Sequence, residues 1–210
     1  MRASVVRGFG LAACWVAAGV FGCAAPTAQL SPDALDRMQR ESRLEIYDRE
    51  NDVVIAENRR DEVRLREEAQ KGDLEALEAR DQKQKARAAK ADPARAAGLQ
   101  KTLAARRAYL ELEQRVETVS LAVADENVAA ASARLEQTRQ RQLVRTGRAL
   151  TGSMAPFDAR LDALEKRVRQ LERRVQDIRA DSEKAFESWQ AAQDEYTRLT
   201  GDYDTGIWLD

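Results

Sequence analysis

The chain has 210 residues, 34% of them charged and 5% aromatic, with 35 basic and 36 acidic side chains and a net charge of −1. That balance excludes a protein whose main partner is nucleic acid, because such binding needs concentrated positive charge. Histidine is absent, which removes the commonest general base and zinc ligand together, and the charged, aromatic-poor composition points to long helices with narrow apolar seams in place of a globular core.

Residues 1–22 read as a targeting segment. Arg2 and Arg7 give a positive start, and Phe9 to Phe21 form an apolar run too short to span a bilayer as a helix. The run ends in Val20-Phe21-Gly22-Cys23-Ala24. This resembles the lipobox of bacterial lipoproteins, an aliphatic residue and two small ones before Cys. Val20, Gly22 and Cys23 fall on the pattern, and Phe21 stands where a small residue is usual. The resemblance implies cleavage after Gly22, a diacylglyceryl group on the Cys23 sulfur and palmitate-type acylation. It also implies, with Ala24 following the cysteine, an anchor on the outer membrane facing the periplasm. Two or more acyl chains hold a protein firmly on a membrane. The plainer alternative is a secretory signal cut near Ala25 or Ala28. Cys14 lies inside the apolar run, so cutting before Cys23 leaves one cysteine and no disulfide framework.

Residues 23–30 form a short lipidated tether containing Pro26. Ser31-Pro32-Asp33 has the chemistry of a helix start: a capping hydroxyl, a proline suited to the first turn, and an acid at the positive helix end. A long charged helix is expected over 31–98, with a weak apolar stripe of Leu35, Met38, Ile46, Val53, Val54, Val63 and Leu65. A break is expected near 72, at Gly72-Asp73, and a turn near 93–98, between Pro93 and Gly98.

A second long helix is expected over 99–146. Tyr109, Leu112, Val116, Val119 and Val123 mark one stripe, and Leu103, Leu110, Leu121, Val128 and Leu135 another, so two neighbours are implied. Ala129 to Ala133 would allow close backbone approach. Residues 147–155 read as a loop. Over 156–200, Phe157, Leu161, Leu164, Val168, Leu171, Val175 and Ile178 follow an unbroken four–three spacing, continued by Ser182, Ala185, Trp189, Ala192, Tyr196 and Leu199. About six heptads of this kind predict a coiled-coil helix. Residues 201–210 form an aromatic tail with Tyr203, Ile207, Trp208 and Leu209.

The fold class expected is therefore all-α, an elongated helical hairpin or coiled coil of two to three long helices. Two pairings are open. A short connection between helices of similar length favours an antiparallel hairpin. That fold would also set the basic stretch 80–107 beside the acidic stretch 181–210. Alternatively, Arg160-Leu-Asp-Ala-Leu-Glu165 and Arg167-Val-Arg-Gln-Leu-Glu172 resemble the Arg-apolar-x-x-apolar-Glu motif of parallel trimeric coiled coils. Beyond long coiled coils, the region after the signal resembles no particular family.

No catalytic, cofactor or metal site is expected. There is no glycine-rich phosphate loop and no serine or cysteine with a histidine partner. Acid pairs such as Asp61-Glu62 and Glu67-Glu68 suit solvated helix faces, and Asp202-Tyr203-Asp204 lacks the other acids of a calcium loop. The basic stretch 80–101 faces either the acidic helix or an anionic surface. The expectation is a non-enzymatic envelope lipoprotein acting as spacer, scaffold or adaptor. Its partners would be the membrane through Cys23 and a protein or second copy through helical faces, with no nucleic acid or small-molecule substrate. A periplasmic holdase and a parallel trimer are the alternatives.

Overall fold

The computed structural model describes residues 35–88, 93–146 and 153–201, with the backbone alone for 84–88. These form three long α-helices and no strand among the described residues: α1 (Arg40–Ala88), α2 (Pro93–Arg145) and α3 (Ala155–Thr200). At 1.5 Å per residue, α2 is about 80 Å long and α3 about 69 Å. The class is all-α and elongated.

The order is up, down, up, with α2 in the middle. The side-chain pairings fix this. As residue numbers rise along α2, its partners on α1 fall: Arg107 meets Glu78 at 3.3 Å, Glu117 meets Arg66 at 3.4 Å, Arg139 meets Glu50 at 2.7 Å, and Gln142 meets Glu45 at 2.6 Å. The same reversal relates α2 and α3: Lys101 meets Glu195 at 2.5 Å, Arg134 meets Glu165 at 2.7 Å, and Glu136 meets Arg160 at 2.7 Å. Being covered on two sides, α2 keeps all ten residues of its two apolar stripes away from full exposure.

The seam of α3 is the one its spacing predicts. From Phe157 to Tyr196, every four–three position is buried or half-buried, and most of the helix between them is exposed. The seam stops at Tyr196, since Leu199 is 66% exposed. Gly201 closes the helix in the left-handed conformation (φ 66°), and its N–H donates to the Thr197 carbonyl at 2.8 Å. This is a glycine C-cap. The trimer-motif residues Arg160, Glu165 and Arg167 all reach α2 of their own chain, Arg167 meeting Glu126 at 3.5 Å.

Several expectations are corrected. The break near Gly72 does not occur, and α1 continues through it to Ala88. One exposed glycine costs about 1 kcal/mol in a helix, and Gln70, Leu74 and Leu77 keep the buried seam in phase across it. The turn expected at 93–98 is the first part of α2. Pro93 opens the helix, where its missing N–H costs nothing. Gly98 is helical and packs on Tyr196, so α2 begins at 93 and not 99. The connection between α1 and α2 falls on 89–92, outside the described residues.

The chain also bends at residues 37–39 before α1 begins, after a turn in which the Met38 N–H donates to the Leu35 carbonyl at 3.0 Å. The continuous helix expected from residue 31 is therefore interrupted. Val54 (51% exposed) and Leu65 (63%) lie outside the buried stripe of α1 that they were expected to join. That stripe runs instead as Ile46, Arg49, Val53, Ala56, Arg60, Val63, Glu67, Gln70, Leu74, Leu77 and Asp81, again at four–three spacing. Nearly half of it is polar. Such residues cover a neighbouring helix with their aliphatic stems and leave their charged ends at the edge.

Candidate interaction surface

Three features of the rod are candidates for molecular recognition. The first is a groove of about 850 Å³ at mid-length, where α1 and α3 stand apart over α2. Val123, Ala124 and Ala131 form an apolar floor on α2, with Ile55, Ala56 and Val63 along the α1 wall and Val175 on the α3 wall. Asp52, Arg59, Arg134, Glu172 and Arg179 are the charged residues that line it. Of the small residues predicted to permit close approach, Ala131 supplies part of this floor, and Ala130, Ala131 and Ala133 are each at most 5% exposed.

The second feature is an aromatic cluster between α2 and α3. Tyr109 stacks on Trp189 with centroids 5.6 Å apart and planes 14° apart, and Phe186 lies 5.3 Å from Tyr109 and edge-on to Trp189. The Arg106 guanidinium sits 5.3 Å from the Trp189 ring centroid, within cation–π range. Burial and the nearby Glu113 carboxylate push the Tyr109 phenol up. Tyr109 and Trp189 belong to the stripes visible in the sequence. Phe186 and Arg106 do not, because Phe186 falls one residue beyond a seam position and an arginine stacked on indole has no periodic signature.

Beside this cluster the two helices pack closely. Thr102 is wholly buried, and its hydroxyl lies 3.1 Å from the carbonyl oxygens of both Gly98 and Ala192. Leu77, Leu99, Leu103 and Tyr196 pack together here, joining all three helices. Gln193 is 1% exposed, and neither its amide oxygen nor its amide nitrogen has a hydrogen-bond partner among the described residues. Lys101, from the basic stretch 80–101, meets the acidic helix directly, and the Lys101 ammonium holds the Glu195 carboxyl below the usual range.

The third feature is on α1. Of eight exposed large apolar residues among those described, five lie between 44 and 65: Leu44, Tyr47, Val54, Ile55 and Leu65. All but Ile55 belong to the side facing away from α2.

Cys23, the Asp202–Asp204 pair and the tail at 202–210 lie outside the described residues. Among the described residues, no three acids or cysteines come close enough together to hold a metal ion. No described helix is long and apolar enough to cross a membrane.

These features define the protein at the level of architecture: an antiparallel three-helix rod whose distinctive surfaces are grooves and seams between helices. Comparison with known proteins found no matching family model, no similar curated protein and no similar solved structure.

Proposed function

We propose that the protein is a non-enzymatic bacterial envelope lipoprotein, held on the outer membrane by lipid at Cys23 and acting as a spacer, scaffold or adaptor in the periplasm. The observation that carries this reading is the sequence Val20-Phe21-Gly22-Cys23 at the end of a short apolar run behind two arginines. The rod supports the spacer part. An 80 Å helix beyond an eight-residue tether reaches well past a membrane surface. Its partners would be read through helical faces, in the helix-to-helix mode of recognition.

Metabolic labelling with a radioactive fatty acid tests the anchor. The chain is expected to take up label and its Cys23→Ser variant to take up none. Equal labelling of the two forms overturns the lipoprotein reading. The apolar floor of the mid-length groove favours a second reading, a holdase that grips unfolded clients there. A client-aggregation assay separates the two: a scaffold leaves aggregation unchanged, and a holdase suppresses it unless Ala124 and Ala131 are enlarged to fill the floor.

A further inference from the structure

We infer that the outward face of α1 is a second coiled-coil seam, and that its occupant is α1 of a second copy of this chain, parallel and in register. The inference narrows the helical-face reading of the protein to one face and one partner. It does not require lipid at Cys23.

The seam is visible once the inward one is known. Leu44, Asn51, Asn58 and Leu65 recur every seven residues, and Tyr47, Val54 and Asp61 fall between them at alternating spacings of three and four. Each member of the first set lies two residues before an inward position such as Ile46, Val53 or Arg60. Two residues turn a helix by about 200°, which places this seam on the far side from α2. All seven except Asp61 are exposed. Asp61 is half-buried and paired with Arg60 at 3.0 Å. In apolar content this seam matches the inward one over the same stretch: Leu44, Tyr47, Val54 and Leu65 against Ile46, Val53, Ala56 and Val63. The inward seam packs a neighbouring helix with that content, so the outward seam has enough to do the same.

The polar members say what that neighbour is. An amide can both donate and accept, so an asparagine at a core position of a parallel coiled coil pairs with the same residue of the other strand and sets the register. Asn51 and Asn58 occupy two such positions. The flanking charges decide polarity. In a parallel, in-register pair, Arg43 faces Asp48 of the second copy, an attraction that competes, among the described residues, with Asp36 at 4.0 Å. An antiparallel pair sets Arg43 against Arg64 and Glu50 against Glu57, like charge on like along one flank. The parallel pair has one unfavourable contact, Glu57 with Glu62, and reversing it offers a direct test.

Two differently tagged copies of the full chain, each carrying Asn58→Cys, are co-expressed and oxidised with copper phenanthroline in fresh lysate. The parent chain supplies the background from Cys14 and Cys23. A disulfide-linked product bearing both tags is expected at more than five times the yield of the parent and of Arg173→Cys, an exposed position on α3. Adding Val54→Asp and Leu65→Asp should abolish the product while circular dichroism shows unchanged helix content, and adding Glu62→Lys should raise the yield. A yield for Asn58→Cys no greater than for Arg173→Cys overturns the proposal, as does a product unchanged by Val54→Asp and Leu65→Asp, or one in which this chain is joined to a different protein. None of these outcomes depends on fatty-acid labelling at Cys23, so this proposal and the lipoprotein reading fail separately.

Discussion

A Cβ atom on Gly98 would stand 3.0 Å from Cδ2 of Tyr196 and 3.7 Å from its Cε2. The glycine is therefore present for close approach of α2 and α3, and the buried Thr102–Ala192 contact one turn on depends on the same approach. Gly98→Ala is expected to destabilise the fold. Overpacking of this kind costs about 1–3 kcal/mol, against about 1 kcal/mol regained from helix propensity. Thermal denaturation should show a lower midpoint, restored when Tyr196→Leu is added to make room.

Gly72 provides the contrast. Among the described residues, nothing beyond its own helical backbone lies within 4 Å of a Cβ built there. Gly72→Ala is expected to stabilise α1 by up to about 1 kcal/mol. Urea titration should move to a higher midpoint with an unchanged slope. A fall would mean that the helix bends at this position in solution.

Gln193 should be better replaced by an apolar residue. Its amide is buried without a partner among the described residues, and such a group costs about 1–3 kcal/mol in lost hydration. Gln193→Met should raise the unfolding free energy by about 1 kcal/mol. Gln142→Met should lower it: the Gln142 amide oxygen also lacks a partner among the described residues, but its amide nitrogen donates to the Glu45 carboxylate at 2.6 Å, and a bond to a charged group is worth more. Paired denaturation curves read both signs at once.

The Lys101–Glu195 contact predicts a pH dependence. The hydrogen bond and charge of Lys101 hold the Glu195 carboxyl below its ordinary value. Its contribution is therefore present above the normal glutamate range and is lost as pH falls through the lowered value. Glu195→Gln should flatten the acid limb of a stability–pH profile and leave the neutral plateau nearly unchanged, because an exposed pair contributes little. Added salt should act in the same direction as the variant.

Tyr109 predicts an effect at the other end of the scale. Its phenol is pushed up by burial first and by Glu113 second. Stability from the neutral ring is present below the ordinary tyrosine value, about 10, and is lost as pH rises through the raised one. The ultraviolet difference titration between the chain and Tyr109→Phe should be centred above that ordinary value. A difference curve centred at or below it would remove the burial argument.

The legible part of the fold was the part whose seam is apolar. On α3, Leu161, Leu164, Val168, Leu171 and Val175 announce their spacing to any reader of the sequence, and the buried face follows it to Tyr196. On α1 the same spacing is carried through Arg49, Arg60, Glu67, Gln70 and Asp81, so hydropathy conceals it. Val54 and Leu65 looked like core for the same reason that Arg60 looked like surface. The mid-length groove was equally hidden, because it depends on where three helices diverge and not on any one of them.

What the residues determine alone is local. Heptad spacing and the length of α3 are properties of short stretches of chain, and they were enough to fix an all-α rod and one of its seams. Which helix lies in the middle, which polar residues are half-buried, and why Gly98 is a contact and not a turn were decided only in the tertiary structure. A charged stem becomes part of a core only when a neighbouring helix lies against it, and a missing Cβ matters only when a ring occupies its place.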